Sequence, residues 1–357
     1  MPPKTILLML GIAASIPAAD GAGSSADPDR TVQGGARDEF RETLRARADA
    51  TIPAYRPGPE LVAPLVAMGT DTMADLMKMW IQGFTGLYPK VKMELEAKGS
   101  MTGAAPLTEG RSQFATFSRE MFPVEVEAFR NKQGYDPLAI RVALGGYRAP
   151  DRTACSVFFV HKDNPITGLT MEQLGAIYSS APGRKDITTW GQLGLTGEWV
   201  NREIHPVGIA MPDGTANYIR QFVCGGAEFK DILKGEKAGQ PVKASVRILA
   251  NIAQDPGAIG YASLLYDNPG TKRIAVAQTA AGPYYAGTFE EVASAVYPLT
   301  RFVYLYIDRP PGKPLKPEVR EFLKYVLSLD GQRGVEREGL FLPLPLRLVA
   351  QELAKLQ

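Results

Sequence analysis

Four short segments rich in glycine, serine and threonine stand where helices are expected to begin. In chain order they are the first loop (68–72), the second loop (98–103), the third loop (117–120) and the fourth loop (212–217). The start of a helix leaves backbone N–H groups without intrahelical partners and carries the positive end of the helix dipole. Several such starts that face one another can hold a small oxyanion with few charged side chains. The four loops therefore suggest anion binding.

The composition of the chain limits the kind of ligand that these loops can serve. A chain of 357 residues is long enough for two domains and a sizeable core. Its 40 basic and 38 acidic residues leave a formal net charge of +2. This balance gives no sign of a nucleic acid or an acidic polymer as partner. An anionic ligand must therefore be recognised by local groups.

The N-terminus has the pattern of a secretory signal peptide. Lys4 precedes the apolar run 5–16, and small residues follow it. The run is well under the ~20 residues that span a bilayer, and no cysteine follows it to carry a lipid. We expect a cleaved signal peptide over 1–22, with an uncleaved N-terminal anchor as the alternative. Residues 23–60 are predicted to be a flexible lead-in with one short helix near 40–50.

The cysteines and histidines give no metal site. Cys155 and Cys224 form either one disulfide or two buried thiols in an exported chain. His161 follows the apolar run 157–160, which favours a structural role at a strand end. Neither His161 nor His205 has a cysteine or histidine at ligand spacing. We therefore expect no metal and no cofactor.

Strands alternate with helices along the chain, and this pattern predicts an α/β fold. The apolar run 61–68 predicts a strand, and apolar side chains at helical spacing predict a helix over 72–88. The strand, turn and helix pattern recurs over 91–109, with a strand over 91–96, and over 113–131, with a strand over 113–116. Past His161 the alternation starts again and so predicts a second domain. Ligands of open α/β sheets bind at the carboxyl ends of strands, where all four loops are expected.

The other predicted elements place two domains around a cleft. They are strands over 140–144, 157–160, 204–209, 258–263 and 301–307 and helices over 169–178, 216–224, 246–253 and 317–329. The strand over 301–307 is expected to lead back to the first domain. The predicted division is lobe I over 61–155 plus 298–357 and lobe II over 156–297. Three loops then belong to lobe I and one to lobe II, with the ligand between them.

Several motifs occur in the order typical of one protein family. They are GTDTM (69–73), GSMTG (99–103), SREM (118–121), VHKDNP (160–165), LTMEQL (169–174), TWGQLG (189–194), GT (214–215), IGY (259–261) and YPL (297–299). By this order, residues 62–345 resemble the phosphate-binding proteins, the periplasmic components of phosphate ABC importers. The resemblance implies a two-lobed, type II periplasmic-binding-protein fold, in which crossover strands join two open α/β domains.

The resemblance also implies a function and a set of ligand-binding residues. It implies a monomer in the periplasm that captures inorganic phosphate and delivers it to ABC transporter permease subunits in the inner membrane, with no catalysis and no nucleic acid. Carried over residue by residue, the ligand-binding positions are Thr70, Asp71, Thr72, Ser100, Met101, Thr102, Ser118, Arg119, Asp213, Gly214 and Thr215. Each hydroxyl that donates to a phosphate oxygen contributes ~1.5 to 3 kcal/mol.

Three departures from the family pattern bear on the ligand. Met101 stands where the family has a glycine, and a side chain there crowds the backbone or demands a different torsion. Ile209 stands near the place of the family's arginine before the fourth loop, and Asp213 stands where the family has serine. Arg119 is the expected substitute, because its guanidinium can grip two oxygens of an anion. The alternatives for Arg119 are a solvated position or a pair with a neighbouring glutamate, Glu120 or Glu125.

A carboxylate in the site would distinguish phosphate from sulfate. Hydrogen phosphate can donate its proton to a carboxylate, whereas sulfate has no proton to donate. Asp71 and Asp213 are the candidates for this acceptor. The alternative is that Asp71 caps the helix that follows and that Asp213 shapes a turn.

Two other functions remain as alternatives. A phosphoester hydrolase with Ser100 or Ser118 as nucleophile would need a base, but neither histidine has a recognisable partner and no Gly-x-Ser-x-Gly elbow occurs. A secreted protein that keeps the fold but binds another oxyanion, or acts in adhesion or signalling, would be expected to carry changes such as Met101 and Ile209.

Overall fold

The computed structural model describes residues 46–147, 153–181, 183–231, 233–237, 240 and 242–357. The predicted signal peptide, most of the lead-in and most of the helix predicted near 40–50 lie outside these residues. Within the described ranges, no helix combines the length and the apolar composition needed to cross a membrane.

The described residues form strands that alternate with helices. The strands are β1 (Leu65–Gly69), β2 (Met93–Ala97), β3 (Phe114–Phe117), β4 (Leu138–Leu144), β5 (Ser156–His161), β6 (Gly168–Thr170), β7 (His205–Ile209), β8 (Lys234–Glu236), β9 (Ala258–Ser263), β10 (Thr271–Ala277), β11 (Tyr284–Tyr285) and β12 (Phe302–Ile307). The helices are α1 (Ala74–Leu87), α2 (Ala104–Thr108), α3 (Pro123–Gln133), α4 (Met171–Tyr178), α5 (Gly214–Phe222), α6 (Ala244–Gln254), α7 (Phe289–Ala293), α8 (Pro317–Val326), α9 (Leu329–Glu338) and α10 (Leu346–Ala354).

The first sheet has the strand order β2-β1-β3-β12-β4. Strands β2, β1 and β3 run parallel, whereas β12 is antiparallel to both β3 and β4. Parallel neighbours end at the same edge of a sheet. The first three loops follow β1, β2 and β3, so they lie side by side at that edge, as the sequence predicted.

The second sheet has the strand order β11-β10-β5-β9-β7-β8, and β6 pairs with β10 outside this path. Strand β7 is parallel to its neighbours β8 and β9. The fourth loop follows β7 and leads into α5. The fourth loop therefore also lies at the carboxyl end of a strand.

The two sheets define a two-lobed molecule. Residues 65–144 and 302–307 supply the first sheet, and residues 156–285 supply the second. We name the part around the first sheet lobe I and the part around the second sheet lobe II. The finer boundaries expected from the sequence, after residues 155 and 297, stay a prediction.

Large aromatic side chains fill the core of each lobe. In lobe I, Phe84 of α1 packs edge-on against Phe322 of α8, with ring centroids 5.3 Å apart. In lobe II, Tyr178 and Tyr261 are buried together, and the Tyr178 hydroxyl donates to the Ile259 carbonyl at 3.0 Å. Full burial of such side chains contributes ~1.5 to 3 kcal/mol each. Both sheets are thereby anchored behind the loops that they carry.

One predicted helix is in fact two. The helix expected over 317–329 ends at Val326, and a second helix begins at Leu329. The break occurs because the hydroxyl of Ser328 accepts a hydrogen bond from the Gly331 amide at 3.3 Å and so caps the new helix.

Candidate functional site

The first and third loops meet because β1 ends at a glycine. Gly69 has a φ of +145°, and a Cβ atom built there would lie 2.3 Å from the carbonyl oxygen of Thr116. A residue without a side chain is therefore required at this crossing. The chain then places Thr70, which is fully buried, with its hydroxyl oxygen 3.4 Å from that of Ser118. The Thr70 hydroxyl also accepts from the Thr72 amide at 3.3 Å.

The second loop is hydrogen-bonded to the first. The Gly69 carbonyl accepts from the amides of Lys98 and Gly99 at 2.9 and 3.1 Å. The Thr102 hydroxyl lies 2.8 Å from the Gly99 carbonyl and 3.2 Å from that of Gly69. Backbone acceptors thus hold the Thr102 hydroxyl, while Ser100 is half-buried at the tip of the loop.

Met101 occupies its position without backbone strain. Among the described residues, Thr153 and Ala295 are the non-glycine residues with positive φ. Met101 therefore does not need a torsion that favours glycine. Met101 is 67% exposed, and its sulfur lies 3.2 Å from Nη2 of Arg119, so the side chain does not crowd the backbone of the loop.

Arg119 makes a two-pronged contact with Glu125. Its Nη1 and Nη2 donate to the two carboxylate oxygens at 2.7 and 2.8 Å. Nη1 also donates to the Glu120 carbonyl at 2.8 Å, and Nη2 to the Ser100 carbonyl at 3.1 Å. Arg119 is 6% exposed. The sequence predicted a two-pronged contact between Arg119 and an anion. The structure instead has this contact with Glu125, which was the alternative.

The two candidate proton acceptors have other surroundings. Asp213 is the N-cap of α5, and its Oδ1 accepts from the amides of Thr215 and Ala216 at 2.7 and 3.1 Å. Asp71 lies in a short 3-10 turn with an exposed side chain. One carboxylate oxygen of Asp213 is therefore used to cap the helix, and Asp71 faces solvent.

A buried arginine that the sequence reading missed lies beside the fourth loop. Arg301 directly precedes β12 and is 5% exposed. Its Nη1 donates to the Thr215 hydroxyl at 3.3 Å, and its Nη2 lies 3.9 Å from Oε2 of Glu120. Its guanidinium carbon lies 5.0 Å from the centroid of the Tyr218 ring. Arg301 thus brings a permanent positive charge to the boundary between the lobes.

Four buried polar atoms of Arg301, its neighbour Thr300, Glu120 and Asn217 have no hydrogen-bond partner among the residues that the structure describes. They are Nε of Arg301, Oγ1 of Thr300, Oε2 of Glu120 and Nδ2 of Asn217. The other oxygen of Glu120 accepts from the Tyr304 hydroxyl at 2.9 Å. A buried polar group without a partner costs ~1 to 3 kcal/mol, so such atoms call for a ligand or a water.

The lobes touch where these atoms lie. A Cβ atom built on Gly214 of α5 would lie 3.3 Å from Cδ of Arg119 in lobe I. One face of the same helix carries Gln221, whose amide lies 3.5 Å from the Met121 carbonyl. Asn217 lies between Gly214 and Gln221 along the helix, four residues before Gln221, and accepts from its amide at 3.2 Å. Asn217 therefore faces the third loop.

Gly145 and Thr153, which lie between β4 and β5, connect the third loop with Arg301. The Thr153 hydroxyl donates to the Ser118 carbonyl at 2.6 Å. The Gly145 amide donates to the Arg301 carbonyl at 2.8 Å, and a Cβ atom on Gly145 would lie 2.1 Å from the Thr153 carbonyl oxygen. Ser118 and Arg301 are thus joined through closely packed backbone.

Of the thiols and imidazoles, the Cys155 thiol lies next to Arg301, whose backbone hydrogen bond and charge oppose the effect of burial on its pKa. Cys155 and Cys224 are free and buried, so the alternative of two buried thiols is confirmed. Burial raises the pKa of each thiol to about 11. His161 ends β5, where the sequence placed it. The expectation that His205 has no partner was wrong, because its Nδ1 lies 2.7 Å from Oδ2 of Asp255.

The sequence held weak signals for the residues it missed. Arg301 follows the YPL motif but was read as the first residue of an apolar strand. Glu120 and Asn217 belong to the third and fourth loops, but neither was among the predicted ligand-binding positions, and Glu120 was considered only as a partner for Arg119. Only the pairing of β12 with β3 brings Arg301 next to the third loop.

Comparisons with known proteins give a consistent family. The profile of the PBP superfamily domain matches residues 46–330. The phosphate-binding protein PstS of Pseudomonas aeruginosa is 35% identical over 314 residues, which cover 87% of this chain and 92% of that protein. The protein SphX of Synechocystis is 24% identical over 283 residues, which cover 78% of this chain and 77% of that protein.

A solved structure shares the fold. The crystal structure of PstS from Borrelia burgdorferi aligns with a TM-score of 0.50 and 20% identity, over 79% of this chain and 99% of that chain. This likeness supports the periplasmic-binding-protein architecture expected from the sequence.

Proposed function

Because the chain belongs to the PBP superfamily and to the family of the PstS phosphate-binding proteins, we propose that it captures inorganic phosphate between its two lobes. In this proposal it is a monomeric periplasmic receptor that delivers phosphate to the permease subunits of an ABC importer and catalyses no reaction. The similarity to a phosphate-binding protein supports phosphate as the ligand, and the predicted signal peptide supports a periplasmic location.

One observation in the structure carries the proposal. Two buried donors, Nε of Arg301 and Nδ2 of Asn217, and one buried acceptor, Oε2 of Glu120, lack partners within the described part of the chain. Hydrogen phosphate has oxygens that accept and one hydroxyl that donates. Its hydrogen-bonding capacity therefore complements two donors and one acceptor.

Arg301 supplies the positive charge in this proposal. The family's arginine before the fourth loop is absent, and the guanidinium of Arg119 is engaged by Glu125. Arg301 reaches the fourth loop from the start of β12 and contacts Thr215. Each hydrogen bond between this guanidinium and a phosphate oxygen contributes ~1.5 to 3 kcal/mol.

Hydroxyls of all four loops complete the proposed ligand shell. Thr70 and Ser118 lie within 3.4 Å of each other in lobe I, and Ser100 lies at the tip of the neighbouring second loop. Gly214 and Thr215 bring the N-terminus of α5, a nine-residue helix, from lobe II. The helix dipole and the hydroxyl protons both favour an anion there.

Glu120 gives the proposed site its selectivity against sulfate. The phosphate hydroxyl can donate to the free oxygen of Glu120, whereas sulfate would place an unprotonated oxygen against a carboxylate. Such a like-charge contact inside a buried site costs binding free energy. We place this role on Glu120 because Asp213 caps α5 and Asp71 is exposed.

Titration calorimetry of the purified chain with inorganic phosphate and with sulfate tests the proposal. We expect phosphate to bind at least tenfold more tightly than sulfate, and Thr215→Val to weaken phosphate binding at least tenfold. Thr279→Val, an exposed threonine of lobe II, is the matched control. Absence of phosphate binding at millimolar ligand would overturn the proposal. Hydrolysis of a phosphoester that disappears in Ser118→Ala would instead identify an enzyme.

A further inference from the structure

Arg119 contacts the second loop and the third loop at the same time. Besides Glu125, its guanidinium binds the Glu120 carbonyl of the third loop and the Ser100 carbonyl of the second. Nη2 also lies 3.2 Å from the sulfur of Met101. Both terminal nitrogens of Arg119 are thus used inside lobe I.

The surroundings of Arg119 fix its orientation. Its guanidinium carbon lies 3.8 Å from the ring centroid of Phe122 and 5.0 Å from that of Phe117. Glu125 is itself held, because its Oε2 accepts from the Phe122 amide at 2.6 Å at the start of α3. A planar fork between a fixed carboxylate and an aromatic face is a geometry that lysine cannot reproduce.

Met101 fits the same arrangement. A glycine at this position would leave the guanidinium without the thioether contact that Met101 provides. The second loop is therefore held on one side by Thr102 at Gly69 and on the other by Arg119 at Ser100. The departure from the family's glycine coincides with the presence of an arginine in the third loop.

The side chain of Arg119 also forms the lobe I surface that meets α5. The Cβ atom that an alanine at position 214 would add lies 3.3 Å from Cδ of Arg119 and 3.7 Å from its Cβ. The start of α5 therefore rests on the methylene groups of Arg119. A displacement of Arg119 would change both the second loop and the contact between the lobes.

We infer that Arg119 is a positioning residue: it holds the second loop against the third and provides the surface on which α5 closes. The inference rests on the proposed anion cleft, in which Arg119 acts on the ligand through these loops and not by direct contact. It predicts that Glu125 is as important for binding as Arg119, although Glu125 carries a negative charge.

Glu125→Gln separates positioning from direct binding. If Arg119 positions the loops, this variant breaks the fork and weakens phosphate binding at least tenfold. If Arg119 were a ligand, loss of the competing carboxylate would leave phosphate affinity unchanged or raise it, and this result would overturn the inference. Asp136→Asn is the matched control, because it breaks the exposed two-pronged pair of Arg130 and Asp136.

A double-mutant cycle gives a second readout. Arg119→Lys keeps the charge but loses the fork, and we expect it to weaken phosphate binding as much as Glu125→Gln does. The double variant should be no weaker than either single variant, because both changes disrupt one unit. Additive losses, or near-normal binding by Arg119→Lys, would contradict the inference.

Hydrogen exchange of the ligand-free chain tests the loop contact without phosphate. Amides of residues 98–103 should exchange faster in Glu125→Gln than in the native chain, and unchanged exchange would refute the positioning role. A native chain that binds no phosphate would overturn the proposed function, while this exchange measurement would still decide the role of Arg119.

If Glu125→Gln fails to fold, Met101→Ala is the variant to use in its place, since Met101 is 67% exposed. It should accelerate the same amides, and unchanged exchange would again count against the inference.

Discussion

The guanidinium of Arg301 lies 3.3 Å from the hydroxyl of Thr215. The residue that precedes β12 of lobe I therefore contacts the start of α5 in lobe II. Both side chains lie at the boundary of the two lobes: Arg301 directly precedes β12 of lobe I, and Thr215 lies in the first turn of α5 of lobe II. A ligand that accepts from both would add to the attraction between the lobes. Closure and anion binding are therefore expected to be linked.

Replacement of Arg301 by alanine should weaken phosphate binding by about 2 kcal/mol or more, which is the loss expected for a buried, charge-assisted hydrogen bond. Titration calorimetry at fixed ionic strength measures the change. Arg111→Ala is the control, because Arg111 is exposed and pairs with Glu109. Equal affinities for the native chain and Arg301→Ala would exclude Arg301 as a ligand.

Glu120→Gln should reduce the discrimination between phosphate and sulfate. Glutamine can donate to an unprotonated sulfate oxygen, whereas the carboxylate of Glu120 can only accept. We expect phosphate binding to weaken and sulfate binding to strengthen, so that the ratio of the two affinities falls at least tenfold in competition titrations. Glu94→Gln, an exposed glutamate of β2, should leave the ratio unchanged. A preserved ratio in Glu120→Gln would move the acceptor role to another group.

Local pattern was sufficient to predict the elements that carry the loops. The predicted strand over 258–263 has the bounds of β9, and the predicted strands over 91–96 and 113–116 each lie within two residues of β2 and β3. These segments combine an apolar run with a turn signal at its end, and neighbouring parallel strands then bring the loops together. The common edge of the first three loops followed from these local features.

Features that depend on distant contacts were missed. Strand β10 was not predicted, because Lys272 and Arg273 interrupt its apolar pattern, and its place depends on antiparallel pairing with β5. The pairing of Arg119 with Glu125 stood as one alternative among others until the geometry was known. Arg301 is 86 residues from Thr215 in the chain, so no local pattern could join them.

The two buried thiols should react slowly with a thiol reagent in the native chain and rapidly after unfolding. Burial raises the pKa of Cys155 and Cys224 to about 11, and the thiolate is the reactive form. Titration with an aromatic disulfide at pH 8, before and after addition of guanidinium, should give two thiols only in the unfolded state. Cys155→Ser and Cys224→Ser should each remove one. The absence of thiols after unfolding would indicate a disulfide.

The same pKa shift predicts how stability changes in alkali. The folded pKa of each thiol is raised above the unfolded value of ~8.5, so the native state binds more protons between the two values. The contribution of these thiols is complete below about pH 8.5 and is lost as the pH rises toward about 11. Urea unfolding at pH 8 and pH 10 should show a smaller loss of stability in the double serine variant than in the native chain. An equal loss in both would contradict the assignment.

Gly69→Ala should destabilise the chain, whereas Gly86→Ala should stabilise it. At Gly69 a side chain meets a φ of +145° and the Thr116 carbonyl oxygen 2.3 Å away, and strain of this kind costs about 2 to 4 kcal/mol. Gly86 lies in α1 with nothing within 4 Å of an added Cβ, so alanine there should contribute about 0.5 to 1 kcal/mol through helix propensity. Urea unfolding followed by circular dichroism measures both changes.

Because Gly69 also sets the approach of Thr70 to Ser118, its variant should lose phosphate affinity while Gly86→Ala keeps it. Normal stability and affinity in Gly69→Ala would show that β1 can pass β3 without this glycine.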